Sequence, residues 1–147
     1  MQIGTRTDMM LRGAITAAAL LLTLSCAQQS AETRPAASQT ITLTDSLLQC
    51  GVSDTLRFGH LYAGETAVKS FVLRNETSSP IVILDTETNC RCTTFDYTRR
   101  PVLAGSETVI TASFDSRGEW GWQFKLVKFI LSGTGVPMRI YIEAEVE

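Results

Sequence analysis

The chain has 147 residues, 19% of them charged and 44% hydrophobic, the balance of an ordinary folded domain and not of a disordered tail. Thirteen Lys and Arg against fifteen Asp and Glu leave a net charge of −2, so neither the basic face that nucleic acid demands nor an acidic block is present. With a removable leader discounted, about 100 residues remain, enough for one core and one domain.

Residues 1–25 read as an export signal. Arg6 and Arg12 give a basic start, and Gly13 to Leu24 form an apolar run too short to span a bilayer. Leu22-Thr23-Leu24-Ser25-Cys26 resembles the lipobox of bacterial lipoproteins, with Thr23 where that box usually carries Leu. The resemblance implies lipid attachment at Cys26 and hence a membrane partner reached through an anchor. Ordinary cleavage after Ala27 is the alternative. Residues 26–40 are small and polar and read as a flexible tether. Ala27 in place of Asp after the cysteine favours, by analogy with lipoprotein sorting, an outer-membrane lipoprotein facing the periplasm.

From residue 41 to 147 the apolar period becomes two. Ile41, Leu43 and Leu47 form a weak first segment, and Leu56 and Phe58 share one face of the next. Val68 to Asn75 reads as a strand, and Pro80 opens the short apolar run Ile81 to Leu84. A loop follows, with two cysteines in Asn89-Cys90-Arg91-Cys92-Thr93-Thr94. Beyond it, Ile110, Ala112 and Phe114 alternate in one strand, and Val127, Phe129 and Leu131 point inward in another, with Lys128 on the wet face. The last strand alternates most regularly, Met138, Ile140, Ile142, Ala144 and Val146 against Arg139, Tyr141, Glu143, Glu145 and Glu147. No amphipathic helix of useful length appears. About seven short strands predict an all-β, antiparallel Ig-like β-sandwich, without the mid-strand Trp that antibody domains bury.

Phe58-Gly59, Gly64-Glu65, Phe71, Asn75, Pro80 to Ile83, Asn89 to Thr94, Pro101 to Glu107, Phe114-Asp115 and Gly121 stand in an order that resembles the bacterial family of domains of unknown function numbered 1573, over about residues 54–147. The resemblance implies an Ig-like sandwich of the major-sperm-protein and Hydin type, common in envelope proteins of Gram-negative gut-type bacteria and often lipid-anchored. It implies little about activity. Where the family usually has Ser-Cys-Gly-Cys-Thr, this chain has Asn89 and Arg91 in place of Ser and Gly.

With Cys26 in the anchor, Cys50, Cys90 and Cys92 remain, an odd set for an oxidising compartment. Residues two apart in an extended chain have Cα atoms about 6.6 Å apart, near the limit of roughly 6.8 Å for a disulfide. The expected bridge is therefore Cys50 with Cys90 or Cys92. It would close a loop of about 41 residues and contribute on the order of 4 kcal/mol. A redox or soft-metal role for Cys90-Arg91-Cys92 is the competing reading. Arg91 would favour thiolates but oppose a bound cation, and the single histidine, His60, would have to complete a ligand set. No metal, no cofactor and no catalytic residue are expected.

Trp120 and Trp122, on the glycine-flanked run Gly118-Glu119-Trp120-Gly121-Trp122, are the candidate contact residues for an envelope protein or glycan, together with Arg91. The alternative for Trp122 is a cap on the end of the sandwich. Asn75-Glu76-Thr77 matches a glycosylation sequon that a bacterial lipoprotein would not use as such. The expectation is a non-catalytic, lipid-anchored binding or scaffolding module of the cell envelope.

Overall fold

The computed structural model describes residues 37–147. The expected signal peptide and anchor Cys26 lie outside the described residues, as does the tether up to residue 36. Strand β1 (Ala37–Leu43) takes in residues 37–40, which the sequence reading had placed in the tether. There follow helix α1 (Asp45–Cys50) and strands β2 (Ser53–Leu61), β3 (Thr66–Asn75), β4 (Ile83–Thr88), β5 (Thr93–Asp96), β6 (Glu107–Asp115), β7 (Gly121–Leu131) and β8 (Met138–Val146).

The eight strands form two four-stranded sheets, ordered β1-β3-β6-β5 and β2-β8-β7-β4, as the expected sandwich requires. Four strand pairs are antiparallel, but β1 runs parallel to β3 and β2 parallel to β8. The reason is connectivity. Between β1 and β2 the chain changes sheets through α1, so neither strand can form a hairpin with its neighbour, and each adds to a sheet edge beside a strand distant in sequence. Helix α1 is short and capped at both ends. The Thr44 hydroxyl accepts the Leu47 N–H at 3.3 Å, and Gly51 donates to the Leu47 carbonyl at 2.8 Å with φ of 94°, where a side chain would be strained. Leu47, expected in a strand, therefore sits exposed on this helix.

The alternation read from the sequence sets the core. Ile110, Ala112 and Phe114 of β6, Val127, Phe129 and Leu131 of β7, and all five expected residues of β8 are buried between the sheets. Phe129 is the hub. Its ring meets Phe95 of β5 edge-on at 5.0 Å, Tyr97 at 6.0 Å and Phe71 of β3 at 6.3 Å, so one residue of the second sheet touches three aromatics from the first sheet and its margin. In β2 the register slips between Arg57 and Gly59, a bulge that Gly59 accommodates with φ of 80°.

Asn75, the first residue of the sequon, is fully buried. Its Nδ2 donates to the carbonyls of Ser79 (2.9 Å) and Val102 (2.8 Å), and its Oδ1 accepts from the Thr77 N–H (3.0 Å) and hydroxyl (2.7 Å). The amide is a structural knot, with no room for a sugar.

Candidate functional site

Strand β4 ends in the second sheet at Thr88 and β5 begins in the first at Thr93, so residues 89–92 must carry the chain around a corner of the sandwich. They do so in a tight turn. The Cys90 N–H donates to the Thr88 hydroxyl at 3.2 Å, and the Cys92 N–H donates to the Cys90 Sγ at 3.0 Å. The turn draws the two Cα atoms to 5.3 Å, inside disulfide range, and Cys90 is bridged to Cys92.

This corrects the expected pairing. Cys50 is exposed and free. The extended geometry assumed for Cys90 and Cys92 does not hold in a turn, and Cys50 lies elsewhere. Helix α1 is tied to the β7–β8 loop, where the Thr134 hydroxyl donates to the Leu48 carbonyl at 2.7 Å. The bridge lies toward the other end of β7, on the order of 20 Å away along the strand. The consequence for stability is large: a bridge between residues two apart contributes on the order of 1.5 kcal/mol in the chain-entropy account, against about 4 kcal/mol for the long loop. Among the cysteines of the described residues, a maleimide should label Cys50 alone in the native protein, and Cys90 and Cys92 only after reduction. Three labels without reductant would contradict this pairing.

A second change of sheet, between β6 and β7, passes the same corner and brings Glu119 to the bridge. Its Oε1 stands 3.9 Å from Cys90 Sγ, and its Oε2 pairs with Lys125 Nζ at 2.9 Å. Lys125 is on the inward side of β7 and its ammonium reaches out between the sheets to this pair. Cys90, Arg91, Glu119, Phe124 and Lys125 line one open hollow of about 640 Å³. The donor atoms of Cys90, Cys92 and Glu119 lie within 4.8 Å of one another. With the sulfurs bonded to each other, only the carboxylate remains a good ligand, far short of the four a closed zinc site uses. On the far side of the bridge, Arg117 donates to both carboxylate oxygens of Asp115. These side-chain bonds, then the Arg117 N–H, hold the Asp115 carboxyl below its ordinary value.

Trp122 and Phe124 stand on the outer face of the second sheet at the start of β7, and Trp120 lies in the loop just before it. Trp120, Trp122 and Phe124 are 76%, 63% and 55% exposed, so Trp122 does not cap the sandwich. Gln123 turns inward and its Nε2 donates to the Trp120 carbonyl at 2.7 Å, which holds the loop to the strand. Phe124 stacks on Tyr141 of β8 with ring centroids 4.9 Å apart and planes within 13°. Charged groups on the same face pair with one another, Arg57 with Glu143 at 3.2 Å and Lys128 with Glu87 at 3.7 Å, and the His60 imidazole lies 3.4 Å from Glu145. Arg91 is exposed at the corner. The sequence reading had missed Phe124 and the Phe124–Tyr141 stack. Strand parity carried the signal, because Phe124 is two and four residues from Trp122 and the wet-facing Lys128.

Among solved structures, the chain is similar to a protein of unknown function from Porphyromonas gingivalis W83, at 23% identity and a TM-score of 0.56, over 74% of this chain and 48% of that one. It is also similar to the VesB protease of Vibrio cholerae, at 12% identity and a TM-score of 0.50, over 65% of this chain and 30% of that one. At these identities the likeness is one of fold, and this chain spans about half the length of the Porphyromonas protein. No curated protein matches the sequence. The family model described as "Protein of unknown function (DUF1573)" matches residues 51–146, from the end of α1 to the last residue of β8, and the chain belongs to that family.

Proposed function

We infer that this is a non-catalytic binding module of the cell envelope, lipid-anchored through Cys26 to the outer membrane and facing the periplasm, whose contact surface is the aromatic face of the second sheet. The observation that carries the binding reading is the exposure of Trp122 and Phe124 two residues apart on one face of β7, with Trp120 exposed in the loop before them and Phe124 stacked on Tyr141. Large aromatics held rigid by a sheet offer wide apolar contact with little conformational entropy left to lose, which is the usual make-up of an interface anchor. The neighbouring charges pair with one another, so the face has little net field, which favours an apolar protein surface over a charged polymer. His60 lies against the carboxylates of Glu145 and Glu147, 3.4 and 3.8 Å away, as a surface imidazole among acidic neighbours.

The test is a photo-crosslinking residue at position 126, on the rim of the patch, in living cells. The expected result is an adduct with one envelope protein, abolished when Trp122→Ala and Phe124→Ala are combined while the fold is kept. Adducts with glycan alone, or a protein adduct indifferent to those substitutions, would refute the assignment. Membrane retention that survives Cys26→Ala would remove the anchor.

A further inference from the structure

We propose that the Cys90–Cys92 bridge is a reversible thiol–disulfide exchange site, with a dithiol as co-reactant, and not a staple of the fold. The proposal goes beyond the binding reading and does not depend on it. Two observations point this way. The corner is held without the bridge, because the Asp115 N–H donates to the Cys92 carbonyl at 2.8 Å and Thr93 already pairs with Phe114 in the β5–β6 ladder. The polar groups of the corner are also arranged around one sulfur. Cys90 Sγ accepts the Cys92 N–H at 3.0 Å and has the Glu119 carboxylate at 3.9 Å, while Lys125 and Arg91 line the same hollow. The backbone N–H at its sulfur, with Lys125 neutralising the carboxylate beside it, favours a thiolate at Cys90, which makes it the better leaving group.

A thiolate of the co-reactant attacks Cys92 Sγ, forming a mixed disulfide as the Cys90–Cys92 bond breaks. Cys90 leaves as a thiolate that accepts the Cys92 N–H, while Lys125 holds the neighbouring Glu119 charge neutralised. The second thiol of the co-reactant, once deprotonated, attacks the co-reactant's own sulfur in the mixed disulfide and expels Cys92. Two electrons and two protons pass from the dithiol to Cys90 and Cys92, and the dithiol becomes a disulfide. The Cys90 thiolate takes its proton from solvent. Lys125 and Arg91 set this chemistry apart from metal binding, since they oppose a cation in the reduced site.

The test uses the full chain carrying Cys50→Ser, so that no other thiol of the described domain can shuffle. Dithiothreitol is the probe, with alkylation, intact mass and circular dichroism as readouts. The expected result is a gain of two alkyl groups while the β-sheet signal is unchanged, and reclosure of the bridge on adding oxidised dithiothreitol. Lys125→Met is expected to slow reduction by roughly three- to tenfold and Lys125→Arg to restore it. A Cys90→Ser variant should hold a stable mixed disulfide at Cys92 when given a disulfide reagent. Opening of the bridge only together with unfolding would overturn the proposal, as would equal reduction rates in the native and Lys125→Met proteins.

Discussion

Truncating Phe129 to alanine is expected to destabilise the domain by about 3–5 kcal/mol, a large share of the 5–15 kcal/mol that holds such a domain folded. Phe129 is fully buried, and it joins the two sheets through Phe71, Phe95 and Tyr97. Its removal takes away the transfer free energy of one ring, leaves a cavity that rigid strands on both sides cannot close, and breaks three aromatic contacts together. Urea unfolding followed by the β-sheet circular dichroism signal would measure the loss. Phe129→Leu keeps most of the volume and should lose clearly less. A midpoint shift equivalent to under about 1.5 kcal/mol for the alanine variant would mean that the sheets are held mainly elsewhere.

Asn75→Ala should come next, at about 2–4 kcal/mol, although the residue is polar. One side chain satisfies four partners: two carbonyls, one N–H and one hydroxyl, joining the end of β3 to the 76–80 turn and to Val102. Alanine strips the buried Thr77 N–H of its acceptor and takes one of two bonds from the Val102 and Ser79 carbonyls, and the desolvation penalty exceeds the net worth of the bonds themselves. Thr77→Val, which loses only the hydroxyl's share, should be milder. Asn75→Asp supplies a signed check. Burial raises the folded-state pKa of the new carboxyl above its unfolded value, so the folded state binds the extra proton between the two values. Stability of that variant should therefore fall as pH rises from about 4 toward neutrality, and should recover on acidification through the same window. A flat pH profile, measured as the difference from the parent protein, would argue that water reaches the site.

The same contrast separates what was readable in the linear chain from what was not. The β8 alternation of Met138 to Val146 named five core residues correctly, because in a strand successive side chains point to opposite faces whatever the strand pairs with. Strand β5 went unread: Thr93–Asp96 is four residues long, and only its pairing with β6 makes it a strand. Leu47 was misread for a related reason, since one helical turn with a threonine cap looks locally like an apolar strand end. The aromatic face was half legible. Trp120 and Trp122 announced themselves as residue types, whereas the stack of Phe124 on Tyr141 depends on which strand lies beside β7.

The amino-acid order by itself determined the all-β class, the inward-facing residues of the long strands and the placement of both cysteines of the pair in one loop, since each follows from local periodicity or turn chemistry. Only the tertiary structure decided that Cys90 bonds to Cys92 while Cys50 stands apart, that β1 and β2 run parallel to their partners, and that Glu119 and Lys125 meet the bridge. Those outcomes depend on how two sheets stack and where two sheet-changing connections meet, and strand partners distant in sequence are selected by burial of the whole core, not by any short run of residues.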